Sequence, residues 1–253
     1  MGAIVGATYA LNPDWYYALS TMDTSGFPQP YAAPRSTLRE HVVHALRLER
    51  TVQDMLFGWG VGRRSLPAGR QLLERLTLGR RLEDACPPVV AVATDLMTGE
   101  RVLLRHGSAA EAVYASGALA GILPPHSAGD YLLADGAYVD IAPVDVARDF
   151  GTEIVIAVNL DQSRETPPPI RNGLQALMRA LEICHYQHAN LRFAEADLVL
   201  HPHFPFTIDT LDFSHKRLCV AAGVRAVRAA SSDLRGLLGN GINRGSANLS
   251  GDG

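Results

Sequence analysis

Asp135 follows directly on the apolar run Tyr131-Leu132-Leu133-Ala134 and is itself followed by Gly136 and Ala137. A carboxylate at the end of a strand sits at the edge of a sheet where α/β proteins gather their chemistry, and there it can take a proton. The plainer role is a turn cap, because Asp-Gly is a common turn pair. The chain also opens on a run of small residues, Met1-Gly2-Ala3-Ile4-Val5-Gly6-Ala7, which reads as a turn entering a helix. Asp95, within Thr94–Glu100, reads as a turn residue that binds loop amides. Histidines at 185 and 188 fall on one helix face, and His201 and His203 flank Pro202. Neither pair has the three or four converging ligands of a zinc site, so no metal is expected.

The elements that must hold these residues follow from periodicity and breakers. Residues 2–11 predict a buried helix of small side chains, and Trp15–Leu19 a short second one. Residues 20–35 read as a Pro/Gly loop, Ser36 to about Arg50 as an amphipathic helix, and Gly58, Gly60 and Gly62 as a break. Another helix starts at Leu66-Pro67. From Val89 the pattern changes to a continuous Val/Ala run, the mark of a strand buried on both faces, as in a parallel sheet. Further strands are predicted at 101–105, 131–134, 154–158 and 197–201. Helices are predicted at 108–114, 143–150, 172–193 and 214–230, a loop at 121–129 and a rigid spacer at Pro167-Pro168-Pro169. The alternation implies α/β architecture with a mostly parallel central sheet flanked by helices. One domain is expected over 1–235, and a flexible Gly/Asn/Ser-rich tail over 236–253.

These segments together resemble the bacterial patatin-like phospholipases, the patatin and neuropathy-target-esterase-like acyl hydrolases. The resemblance is carried by residues 1–6, the 93–100 segment Ala-Thr-Asp-Leu-Met-Thr-Gly-Glu, Ala115–Pro125, the Asp135-Gly136-Ala137 motif, Pro143–Arg148, and stretches at 196–200 and 211–214. It runs from residue 1 to about 229. It implies a three-layer α/β fold and a Ser–Asp dyad that cleaves lipid esters, with Asp135 accepting the proton of the nucleophile. It implies a lipid or small ester as substrate, with peripheral membrane contact, and no cofactor.

In that family the nucleophile lies in Gly-x-Ser-x-Gly. Here Met1-Gly2 corresponds to the last two positions, the remnant of a nucleophile elbow, so the serine falls just before Met1. No serine in the chain has glycine at both −2 and +2; Ser116, for example, stands between Tyr114 and Ala118 and reads as lining the turn after its helix. No Gly-rich run precedes the elbow, so the chain carries neither nucleophile nor oxyanion loop. By this reading it is inactive alone and incomplete at its N-terminus, missing the strands that lead into the elbow, with apolar faces of 2–11 and 89–93 left exposed. Either the chain starts at an internal methionine of a longer enzyme, or it is a noncatalytic patatin-like protein serving as a lipid- or protein-binding module.

Composition fits a core-forming globular protein, with 47% hydrophobic and 19% charged residues. A net charge of −3 makes no case for nucleic-acid binding. Cys86, Cys184 and Cys219 are widely spaced and read as buried reduced thiols rather than a disulfide framework. No basic n-region opens the chain, so a cytoplasmic protein is expected. Oligomeric state is left open.

Overall fold

The computed structural model describes residues 1–24, 58, 66–160, 170–206, 208 and 212–248. The expected helix over 36–50, the breaks at Gly60 and Gly62 and the proline spacer at 167–169 lie outside them. The chain divides into two compact units, Met1–Val139 with Asp209–Phe213, and Asp140–Ile208 with Ser214–Gly253.

The first unit opens with α1 (Gly2–Leu11) and α2 (Trp15–Thr21). Asn12 ends α1 by binding two ways: its amide donates to the Leu76 carbonyl at 3.1 Å, and its carbonyl oxygen accepts the Asp14 N–H at 2.9 Å. Burial of α1 is one-sided. Ala7, Thr8, Ala10 and Leu11 are buried, whereas Met1, Val5 and Tyr9 face outward. Helix α3 (Leu66–Leu76) contributes Leu72, Leu73 and Leu76, spaced along one face, to the same core.

Strands β1 (Ala91–Asp95) and β2 (Arg101–Leu104) form a hairpin, and α4 (Ala109–Ser116) follows. Ser108 caps α4 by accepting the Glu111 N–H, as its position in the sequence predicts. Four alanines of α4 (109, 110, 112 and 115) are buried, so its backbone lies close to its neighbours. It packs on α1, α3, β1 and the next strands, β3 (His126–Ala128) and β4 (Tyr131–Asp135).

The sheet order is β2-β1-β4-β3, and every pairing in it is antiparallel. The mostly parallel central sheet expected from the Val/Ala run is therefore not what the described strands form here. A continuous apolar run reports burial on both faces and says nothing about strand direction. Residues 96–100 are too few for the crossover that parallel neighbours need. β1 is buried throughout, so the 89–93 face expected to lie open is covered from Ala91 onward.

The second unit holds α5 (Val144–Arg148), β5 (Ile156–Val158), α6 (Gly173–Phe193) and β6 (Leu198–Leu200). Here β5 and β6 do pair in parallel. Asn172 caps α6 by accepting the Gln175 N–H at 2.9 Å. Arg192, near the end of α6, binds the buried Asp140 at 3.0 Å with two nitrogens and reaches Asp145 at 2.6 Å. Two helices close the unit, α7 (Lys216–Ala229) and α8 (Ser231–Asn248). The backbone stays helical past Gly236, where composition predicts a flexible tail. The three cysteines, read as buried, are all exposed.

Candidate active site around Asp135

The Asp135 turn is built from main chain. Asp135 ends β4 opposite Ala93, and its N–H donates to the Ala118 carbonyl at 3.0 Å. Its own carbonyl accepts the Thr94 hydroxyl at 2.8 Å. Gly136 follows in a single 3-10 turn, Gly136–Tyr138. A Cβ at residue 136 would stand 2.2 Å from the Val92 carbonyl oxygen and 2.6 Å from its carbon. The glycine is therefore required by close approach to β1, a stronger reason than the turn preference visible in the sequence.

The Asp135 carboxylate caps this turn by accepting the Ala137 N–H on Oδ1 at 2.9 Å. Among the described residues that is its hydrogen bond. The residue is half-buried, and Oδ1 is oriented by this bond while Oδ2 accepts none among the described residues. Three residues on, the Tyr138 hydroxyl accepts the Ala120 N–H at 2.9 Å. Partial burial pushes the Tyr138 phenol above its ordinary value; the Ala120 N–H opposes this, and the nearby Asp135 charge adds to it.

Asp95 is of a different kind. It is 2% exposed, and its carboxylate accepts the Thr98 hydroxyl at 2.8 Å and the N–H groups of Met97 and Leu132 at 3.2 and 3.1 Å. Burial raises the carboxyl, but these donors outweigh it and hold it below the usual value. It fastens the β1–β2 turn to β4, the structural role the sequence suggested. Ser116 is the last residue of α4, which runs two residues further than predicted, and is half-buried.

Met1 and Gly2 lie at the start of α1, and α1 packs on α4. Helix α4 in turn packs on β1, β4 and the Gly136–Tyr138 turn. Met1 and Asp135 thus belong to one unit, in elements that share α4 as a neighbour. Near the start of the chain Tyr9, Trp15 and Tyr16 stack edge to face at 5.3 and 5.7 Å, and Tyr16 and Tyr17 are exposed. Among the described residues, no group of three or more His, Cys, Asp or Glu is placed to hold a metal ion. No helix among them is long and apolar enough to cross a membrane.

The residues that sequence reasoning missed are Tyr138 and Thr94, which tie the turn at both ends. Tyr138 lies three positions past the aspartate and carries no signal of its own, because its partner is a backbone amide in another loop.

No protein-family model matches the chain. Individual relatives do. An uncharacterized NTE family protein of Mycobacterium tuberculosis is 38% identical over 80 residues, 32% of this chain and 22% of that protein. Patatin-like phospholipase domain-containing protein 7 of mouse is 36% identical over 89 residues, 34% of this chain and 7% of that protein. Human patatin-like phospholipase domain-containing protein 6 is 29% identical over 168 residues, 66% of this chain and 11% of that protein. The matches span a small part of each relative's length. A mixed α/β chain with a carboxylate clamped at a strand end thus has, as its similar proteins, the patatin-like phospholipase domain proteins and the NTE family proteins.

Proposed function

We propose that this chain is the aspartate-bearing part of a patatin-type lipid acyl hydrolase, with Asp135 as general base of a Ser–Asp dyad. One observation supports it most: a half-buried aspartate at a strand end, held by main-chain contacts on both sides, with one oxygen oriented and the other available. The names of the similar proteins, patatin-like phospholipase domain proteins, give the substrate class. The three-layer patatin fold goes with this reading.

In the proposed reaction a serine preceding Met1 attacks the acyl carbonyl, and its proton passes to Asp135. The tetrahedral oxyanion is stabilised by backbone N–H groups of a Gly-rich loop before the serine, and its collapse breaks the bond to the leaving oxygen, which takes the proton back from Asp135 and departs as the alcohol. Water then enters along the same path, with Asp135 again taking the proton. An ordinary aspartate is a weak base near neutral pH, so orientation must do what basicity cannot. The fixed turn supplies that orientation. Loss of the nucleophile removes the acyl-enzyme route, and each oxyanion donor lost costs on the order of 10²–10³ in rate.

The test has two parts. This chain alone should hydrolyse p-nitrophenyl esters no faster than background; saturable hydrolysis by it would put the nucleophile within the chain and overturn a serine preceding Met1, and hydrolysis indifferent to Asp135→Asn would overturn the dyad. The reading frame upstream of Met1 should encode Gly-x-Ser in register, with a Gly-rich loop before it. The correspondingly extended protein should turn over esters, and Asp135→Asn should reduce kcat by about 10²–10⁴. An upstream frame without that motif would instead assign the chain to a noncatalytic binding module.

A further inference from the structure

Loops usually carry polar side chains, yet residues 118–125 between α4 and β3 carry none. The segment is not core either. Ala118 is buried, Ala120 is exposed, and the residues from 121 to 125 and Leu119 are half-buried. Part of its main chain is turned back into the protein. Leu119 N–H binds the Gly117 carbonyl at 3.0 Å, and the Ile122 and Leu123 N–H groups both bind the Leu119 carbonyl, at 3.0 and 2.8 Å. The Pro124 carbonyl accepts the Tyr114 hydroxyl. Two more bonds fasten the loop to the candidate site: Asp135 N–H to Ala118 carbonyl, and Ala120 N–H to the Tyr138 hydroxyl. Tyr138 is 46% exposed while its hydroxyl oxygen is engaged by the loop.

We propose that residues 118–125, with the Tyr138 ring, form a preformed wall that binds the acyl chain of the ester beside Asp135. This deepens the function proposed above and rests on it for the ligand class. No side chain in the segment can donate or accept a hydrogen bond, so what its side chains offer a ligand is hydrocarbon, and a hydrocarbon chain is what gains by covering them. The wall carries no cation for a phosphate, so recognition here is of chain length and not of head group. Because the wall is tied to the aspartate by two hydrogen bonds, a chain lying on it brings its carbonyl end to a constant place relative to the Asp135 turn.

The test is calorimetric titration of this chain with monomeric lysophosphatidylcholines, from octanoyl to tetradecanoyl. Affinity should rise about two- to four-fold per added methylene, and phosphocholine alone should not compete. Ile122→Asn should weaken the longer ligands at least about tenfold. Leu119→Trp, which fills the wall without adding charge, should shift the preference to shorter chains. Equal affinity across the series, no binding, competition by phosphocholine, or indifference to both substitutions overturns the proposal. The wild-type chain-length series decides it even if a variant fails to fold. Its failure is separable from that of the dyad: ester hydrolysis that needs Asp135 but ignores the loop substitutions sinks the wall alone, and chain-length-dependent binding in a protein whose hydrolysis ignores Asp135 sinks the dyad alone.

Discussion

Asp95 closes β1 and Asp135 closes β4, at opposite ends of one antiparallel strand pair. Both are followed by a turn. Their surroundings differ. Asp95 is buried and takes three donors from its own turn and from β4, so no acceptor capacity is left facing outward. Asp135 is half-buried and takes the Ala137 N–H. Around Asp95 the side chain holds the backbone; around Asp135 the backbone holds the side chain. A carboxylate whose lone pairs are spent on structure cannot accept a proton from a substrate, so the difference separates the two roles.

The largest expected effect breaks the main-chain clamp. Gly136→Ala places a methyl group inside the Val92 carbonyl, so β1 and β4 must part there. It should cost about 3 kcal/mol in chemical denaturation and disturb the Asp135 turn; a wild-type midpoint would show that the approach is looser than described. Next, Asp95→Asn should lower Tm clearly more than Asp135→Asn, because it replaces a charged acceptor bound by three donors. The pH dependence follows the same logic. Asp95 is held below 3.8, and Glu83 is lowered from 4.5 to about 2 by its own N–H, Arg81 and the Gly107 N–H. A carboxyl lowered in the folded state contributes stability that is complete above its unfolded value and lost as pH falls through the folded one. Tm should therefore decline as pH drops from 4.5 toward about 2, and Glu83→Gln with Asp95→Asn should flatten that decline. The smallest effect is that of Asp135→Asn on stability. Asparagine caps the same turn, so the change should stay within about 0.5 kcal/mol; a larger loss would mean that the aspartate serves the fold as Asp95 does.

Much of this was legible from residues alone, where local chemistry decides structure. Ser108 announces the cap of α4, and Asp135 announces the end of β4. Strand direction was not legible from the Val/Ala run, because burial on both faces is common to either arrangement. A sharper signal lay in the Gly129-Asp130 pair, which joins Ala128 to Tyr131 as a two-residue hairpin loop, with Gly129 at φ 59°. Read that way, β3 emerges as an edge strand from what looks like loop. The clamp on the aspartate was hidden for another reason. Val92, Thr94 and Tyr138 act through backbone atoms or on a distant amide, and such contacts leave little trace in residue type.

The alanine face of α4 carries a consequence for how such a protein can change over time. Any enlargement of those four small side chains would push apart several neighbouring elements at once, so the helix is nearly closed to variation. The segment that follows it has no such constraint on its outer surface, and its Ala118 carbonyl binds the Asp135 main chain. New substrate preferences should therefore arise by altering that short stretch while the helix before it stays unchanged, letting one scaffold explore many lipids at little cost to its stability.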